Sequence, residues 1–338
     1  MLPPGGDDGG MLLTSRFALA RWALGLLAGL AGLAAMANTH AAPLVIAIGE
    51  STLFAPMQLA AQEGYFAAEG LEVQVISCIN GKRCLKHLTD GEAQVATAAD
   101  TPMVFALHAG HRFDVIATFG SSSRDASLIA RTDRGISKAA DLAGKRIGVV
   151  RGTSAHYFTN VFLLVNGVPR DSVNLVYIDP NRGADPLLRG EVDAASLYRP
   201  AGPEALQQLG AKGVQLPTLR PYTVMVNLVA QPGLSQDTLV RLLKATRRGV
   251  ALLNDQPGRA HELLAARWKV DARGAANQLD GYDFRLGLDQ TLLSMLEAES
   301  RWAVREGLVE NRAMPDYLEL MRVEPLRALD PRAMTIIK

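Results

Sequence analysis

The sequence predicts an α/β protein of two lobes, each a mostly parallel sheet flanked by helices, joined by two hinge strands. Three observations carry this. Strand-like and helix-like segments alternate from residue 44 to about residue 220. Two extended segments, 126–131 and 223–230, bracket the second half of that alternation. After Gln231 the chain reads helical almost throughout and has no sheet of its own. A block entered and left through two extended segments is a domain inserted into another. The boundaries then fall at 42–127 plus 226–338 for lobe 1 and 128–225 for lobe 2. At 338 residues the chain has the length of about two domains.

The elements follow in order. Residues 44–48 are an apolar run ending at Gly49, a buried strand. Pro56 suits the first turn of a helix, and Met57, Ala60, Ala61 and Gly64 fall at helical spacing. Residues 71–75 alternate as a half-buried strand does. A helix over 82–89, a turn at Asp90-Gly91, a strand over 94–98 and a helix opened by Asp100-Thr101-Pro102 come next. Strands are read at 113–119 and 127–131, then a short helix ends at Gly144. The second block repeats the order: strand 146–150, a helix capped by Gly152-Thr153-Ser154, strands 173–178 and 192–197, and a helix over 204–209. Helix starts in the tail lie at Ser235, Pro257 and Leu288.

The first 41 residues read as an export signal. Arg16 and Arg21 form a positive flank, the uncharged run 22–36 has the length of a signal-peptide core, and Thr39-His40-Ala41 suits cleavage after Ala41. An uncleaved anchor would need about 20 apolar residues. The start is either Met1 or Met11, because residues 2–10 read as translated upstream sequence. A net charge of +1 gives no reason to expect nucleic acid as a partner. The two cysteines, Cys78 and Cys84, flank an Asn80-Gly81 turn, and export to an oxidising compartment favours a structural disulfide between them. Free thiols are the alternative; a redox site would more usually show Cys-x-x-Cys.

Several short stretches resemble one family. Pro56-Met-Gln-Leu-Ala60, Gly64-Tyr-Phe66 and Glu69-Gly-Leu-Glu-Val73 resemble the opening of nitrate/sulfonate/taurine-type solute-binding proteins, a group that includes thiamine-precursor binders. The resemblance continues through Gly91-Glu-Ala-Gln94, Asp141-Leu-Ala-Gly-Lys-Arg-Ile-Gly148, Gly152-Thr-Ser154, Gly190-Glu-Val-Asp-Ala194 and Arg305-Glu-Gly-Leu308. It implies the two-lobed periplasmic-binding-protein fold, a small ligand in the cleft between the lobes, hinge closure and delivery to an ABC permease in the inner membrane. It also implies a monomer with no cofactor.

Ligands in open α/β sheets sit beyond the carboxyl ends of the strands, and three such places put small polar residues just before a helix: Ser51-Thr52, Asp100-Thr101 and Thr153-Ser154. Helix N-termini present unpaired N–H groups and partial positive charge, so several of them facing one cleft bind an anion without Lys or Arg. The same residues also serve as plain N-caps. The loop Ser121-Ser122-Ser123-Arg124-Asp125 follows a strand, and Arg124 is the charged candidate, because its fork fits sulfonate or carboxylate. By resemblance Asp193 and Tyr198 stand where the family offers polar and aromatic groups; Phe54 and Tyr157 are candidates for stacking or for the core. His108 and His111 lack the further ligands a metal site needs, and no phosphate loop, nucleophile elbow or dinucleotide fingerprint is present.

Three functions compete. The first is a receptor for a small anion (sulfonate, nitrate or carboxylate) or a pyrimidine or aromatic precursor in ABC uptake. The second is an enzyme on the same fold, as in pyrimidine synthases of the thiamine-precursor group, which use a cysteine-rich motif and iron; the two cysteines here form no such motif. The third is a periplasmic sensor subunit. The export signal and the missing motifs favour the first.

Overall fold

The computed structural model describes Met1, residues 42–220 and residues 222–336, so the predicted cleavage after Ala41 lies outside the described residues. In chain order the first lobe begins with β1 (Leu44–Gly49), α1 (Ala55–Gln62), α2 (Tyr65–Ala68), β2 (Val73–Cys78), α3 (Gly81–Thr89), β3 (Val95–Ala99), α4 (Asp100–His108) and β4 (Asp114–Ser122). The second lobe holds β5 (Ala126–Arg131), β6 (Arg146–Val149), α5 (Ser154–Val165), β7 (Asn174–Tyr177), α6 (Asp185–Leu188), β8 (Ala194–Tyr198), α7 (Ala201–Leu209) and β9 (Gly213–Gln215). The chain then returns through β10 (Val224–Ala230), α8 (Gln236–Asp255), α9 (Pro257–Trp268), α10 (Ala272–Leu279), β11 (Tyr282–Asp283), α11 (Gln290–Arg305) and α12 (Glu324–Leu329).

Two sheets result, in the orders β11-β4-β10-β3-β1-β2 and β7-β6-β8-β5-β9. Both are mixed, with most strands running in one sense and antiparallel strands inserted among them. β1 runs parallel to β2 and β3, but β10 is antiparallel to β3 and β4. β6 runs parallel to β7 and β8, but β5 is antiparallel to β8 and β9. The cause is connectivity. Strands joined by helices return parallel. β5 and β10 enter from the other lobe and insert in the opposite sense. Segments 126–131 and 223–230, read as hinges, are therefore largely sheet strands; the chain crosses between sheets at 123–125 and at 216–223. β10 is buried at every position, as expected of a strand near the centre of a covered sheet.

The helical tail packs on the first lobe and adds β11 to the edge of its sheet. Long α8 docks on α1 with Gly249 at the contact, where an added Cβ would lie 2.1 Å from the Pro56 carbonyl oxygen. Only glycine permits that approach. In the second lobe Asp193 accepts from the Arg146 guanidinium at 2.8 and 3.2 Å and from the Arg146 amide at 2.9 Å. That pair joins the starts of β6 and β8, the ends opposite the strands' carboxyl termini.

The second crossing is fixed by a buried carboxyl. Asp100, fully buried at the start of α4, accepts from the Tyr222 hydroxyl at 2.6 Å, the Met225 amide at 3.0 Å and the Thr101 amide at 2.9 Å. The Thr101 hydroxyl donates to Glu299 of α11 at 2.8 Å, and the other Glu299 oxygen is buried without a partner among the described residues. Burial raises the Asp100 carboxyl to about 6 against the lowering effect of its hydrogen bonds. Burial, and then the neighbouring Asp100 charge, push Glu299 well above the carboxylate range. The folded chain thus holds a proton that the unfolded chain releases, so stability falls as pH rises above the unfolded carboxylate range near 4. Glu299→Gln removes one such group. Its thermal midpoint should decline less than the wild-type midpoint between pH 5 and pH 8; parallel curves would contradict this assignment.

Candidate functional site

Both sheets turn the carboxyl ends of their parallel strands toward one inter-lobe cavity of about 310 Å³. From the first lobe come the β1–α1 connection (Glu50, Ser51, Leu53, Phe54), the β2–α3 turn (Ile79, Asn80, Gly81, Lys82) and Ala99 with Pro102 at the β3–α4 junction. From the second come Thr153 and Ser154 before α5, residues after β7, and the run Ser196–Ala201 at the end of β8. Asp125, on the first crossing, closes the space between them. Its position beyond strand ends is the one that crossover topology leaves open for ligands.

Each wall has a local cause. Phe54 is 2 % exposed, and its ring lies over Gly49, where an added Cβ would come within 2.3 Å of a ring carbon. Gly49 at the end of β1 is thus what lets the ring line the cavity. Asn80 caps α3, its Oδ1 accepting from the Arg83 amide at 3.0 Å. The disulfide Cys78–Cys84 joins the last residue of β2 to the first turn of α3, with Cα atoms 5.5 Å apart. It holds the intervening turn, and with it the α3 N-terminus, in the cleft wall. In the second lobe the Tyr198 hydroxyl accepts from the Ala155 amide at 3.1 Å and lies 3.4 Å from the Ser154 hydroxyl. A side chain from β8 therefore occupies the α5 N-terminus.

The charges are balanced. Two cations, Lys82 and Arg199, and two carboxylates, Glu50 and Asp125, line the cavity. Lys82 Nζ donates across the cleft to the Arg151 carbonyl at 2.6 Å, and burial first, then Arg151 and Arg83, lower its pKa. Arg199 Nη1 reaches the Asp280 carbonyl at 2.6 Å on the opposite lobe. Asp125 is 3 % exposed and accepts from the Tyr282 hydroxyl at 2.6 Å. Burial raises its carboxyl to about 6, against the opposing effects of Tyr282 and Arg199.

Among the residues singled out from sequence, Ser51, Phe54, Thr153, Ser154 and Tyr198 line this cavity together. The others lie elsewhere. Thr52 is buried beneath the β1–α1 connection. Asp100 and Thr101 face inward to Tyr222 and Glu299. Ser122 Oγ donates to the Gly281 carbonyl at 2.8 Å; Ser122 and Ser123 border a much smaller neighbouring pocket, and Ser121 borders a third on the far side of β4. Arg124 pairs with Asp280 at 2.6 Å outside the cavity lining. Asp193 is occupied by Arg146 at the far end of its sheet. Tyr157 belongs to an aromatic cluster between the lobes, 5.1 Å from both Trp302 and Tyr222 between ring centroids.

The sequence reading gave no site role to Asn80, Lys82, Ser196 or Arg199, and it held Asp125 only as the end of the Ser121–Asp125 loop, with Arg124 as the charged candidate there. For Asn80 the signal was present: an Asn directly after a strand and before a helix is the same junction that marked Ser51 and Thr153. Ser196 and Tyr198 share one face of β8, two residues apart. No local pattern marks Lys82 or Arg199, whose places depend on the opposite lobe.

Comparison with known proteins fits this geometry. A family model described as NMT1/THI5 like matches residues 51–260. A Bacillus subtilis protein named for binding aliphatic sulfonates is 23% identical over 242 residues, 69% of this chain and 73% of that one. The taurine-binding periplasmic protein of Escherichia coli is 26% identical over 177 residues, 52% of this chain and 53% of that one. The crystal structure of the periplasmic aliphatic sulphonate binding protein of Escherichia coli superposes with a TM-score of 0.70 at 18% identity, covering 82% of this chain and 97% of that one.

Two measurements test the construction of the walls. Replacing both Cys78 and Cys84 by Ser should lower unfolding stability by about 2 kcal/mol in urea denaturation, the chain-entropy value for so short a loop. Tyr198→Phe leaves the Ala155 amide without its partner and should cost about 1 kcal/mol in the same assay. An unchanged urea midpoint in Tyr198→Phe would remove the hydroxyl's assigned role.

Proposed function

The chain belongs to the NMT1/THI5-like family, and from that membership we propose that it is an exported solute-binding receptor. It takes a small organic anion into the cleft between its lobes and delivers it to an ABC permease in the inner membrane. The observation that carries this reading is the cavity of about 310 Å³ between two sheets, walled by helix starts and strand ends and lined by hydroxyl, amide and cationic groups. The family resemblance of the sequence, with relatives named for sulfonate and taurine binding, supports the anion class.

Binding follows from the parts described. The α3 N-terminus offers its first amides and a partial positive charge, and Lys82 adds a full charge beside them. Thr153, Ser154 and Tyr198 add hydroxyls from the other lobe, so a ligand touching both walls holds the lobes together. Phe54, Leu53, Ile79 and Tyr198 supply an apolar surface. That surface favours an organic anion over nitrate, and it fits an aromatic or pyrimidine body as readily as an alkyl chain. No chemistry on the ligand is required of these groups.

A thermal-shift screen of the mature chain tests the reading, with alkyl and aryl sulfonates, nitrate, carboxylates, pyrimidines and aromatic acids as probes. Ligand present at 100 times its Kd stabilises by about 2.7 kcal/mol, which a melting curve reads as a shift of several degrees. At least one organic anion should give that shift, and nitrate should give less. A panel with no shift at all would overturn the receptor reading.

A further inference from the structure

The cavity holds two polar groups that the anion reading leaves unused. The first is Asp125. Its Oδ1 accepts from the Tyr282 hydroxyl at 2.6 Å; its Oδ2 takes no hydrogen bond, and no cation forms an ion pair with it, among the described residues. The other buried aspartates differ. Asp100 accepts three hydrogen bonds, and Asp193 is gripped through both oxygens by Arg146. The second group is Ser196, 3 % exposed, whose hydroxyl has no partner among the described residues.

These two groups line the same cavity wall. Ala126 pairs with Tyr198 across the β5–β8 ladder, and the Arg199 amide donates to the Asp125 carbonyl at 3.0 Å. Asp125 and Tyr198 thus stand at one end of this ladder, Ser196 pairs with Leu128 at its middle, and all three line the cavity wall. The charged and titratable groups around Asp125 are Tyr282 from β11, Arg199 after β8, and Glu50, Lys82 and Tyr198 along the same cavity. Of these only Tyr282 donates to its carboxyl group. A carboxylate so enclosed is costly without donors, and a donor arriving with the ligand offsets that cost. A ligand carrying only negative charge is repelled instead.

We infer that Asp125 is a specificity-determining residue of the cleft: it accepts a hydrogen bond from a donor group on the ligand, so the preferred solutes carry an amine or hydroxyl alongside their anionic group. The inference rests on the receptor reading above. Ser196, on the same cavity wall, offers a second polar contact further along β8.

Calorimetric titration with three probes of one skeleton tests it: ethanesulfonate, 2-hydroxyethanesulfonate and 2-aminoethanesulfonate. At pH 7.5 at least one of the two donor-bearing probes should bind ten times or more tighter than ethanesulfonate; a gain with the amine alone assigns a cationic donor, and a gain with both a neutral one. With the Asp125 carboxyl raised to about 6, it is ionised at pH 7.5 and mostly protonated at pH 5, so the amine's affinity should fall about tenfold between them. Asp125→Asn keeps an acceptor for Tyr282, and it should abolish both the preference and its pH dependence and bind ethanesulfonate at least as tightly as the wild type, because the repelling charge is gone. Should that variant fail to fold, the wild-type comparison and its pH dependence decide alone. Equal affinity for all three probes overturns the inference and leaves the receptor reading standing. If none of the three binds while another organic anion does, the inference falls; if no anion binds, the receptor reading falls with it.

Discussion

The second crossing between the lobes depends on the carboxyl group of Asp100. It is fully buried, pairs with no cation among the described residues, and is held by the Tyr222 hydroxyl and by the amides of Met225 and Thr101. Tyr222 belongs to the returning segment and Met225 to β10, so one side chain at the start of α4 fixes where the chain re-enters the first lobe. From that point β10 runs antiparallel between β3 and β4, and the first lobe's sheet is complete. Tyr222 also meets Tyr157 of α5 at 5.1 Å, which carries the constraint into the second lobe. Shifting Asp100 would move the crossing, and the crossing sets how far apart the two cleft walls stand. The neighbouring Glu299 fits the same picture: burial and the Asp100 charge hold it toward its protonated form, so the pair does not place two full charges in the core.

The cleft itself is a consequence of topology. Helices link β1, β2 and β3 in the first lobe and β6, β7 and β8 in the second, so all six strands release their chains at the same end of their sheets. Facing these ends toward each other collects six connections around one cavity. What distinguishes the connections is how firmly each is held. The β2–α3 turn is closed by a disulfide, the β1–α1 connection is filled by Phe54 over Gly49, and the α5 start is capped by Tyr198. Each device fixes a wall before any ligand arrives. A preformed wall spares the ligand the ordering cost that a loose loop would impose.

Much of the fold was legible in the sequence, because period and punctuation report local structure directly. The β-α alternation, the inserted second block and the helical tail all rest on patterns spanning several residues each. Strand direction was less legible. Nothing in the residues of β5 or β10 says that they arrive from the other lobe, so their antiparallel insertion into otherwise largely parallel sheets was not legible. Site residues divide in the same way. Thr153, Ser154 and Ser51 occupy strand-to-helix junctions, and such junctions reach the cavity by topology. Asp100 and Thr101 occupy an equal junction but turn inward, because Tyr222 and Glu299, over 100 residues away, offer them partners there. Arg124 is drawn aside in the same manner by Asp280. Local sequence specifies which residues stand at a strand end; only the distant chain decides which way they face.

The contacts that span the cleft bear on how a receptor opens. Lys82, Arg151 and Arg199 each cross between lobes, and each donates to a backbone carbonyl: those of Arg151, Leu308 and Asp280. Between the lobes proper only Arg170–Glu306 forms an ion pair among the described residues, at a loose 3.8 Å. A cation that leaves a carbonyl for water exchanges one neutral acceptor for another, and the net change is on the order of 1–3 kcal/mol per bond. Removing one partner from a buried ion pair would cost more, about 3–5 kcal/mol. The apolar contacts sit elsewhere. Trp302 of α11 packs its ring against Phe105, His156 and Tyr157, bringing α5 onto the first lobe at 4.9–6.1 Å between ring centroids. These pairs meet edge to face, the arrangement aromatic rings prefer. The lobes are thus joined by a packed apolar pivot beside bonds that exchange readily with water. The three bonds together favour the closed arrangement by several kcal/mol, an amount comparable to what a ligand's own contacts supply, so those contacts can decide the balance.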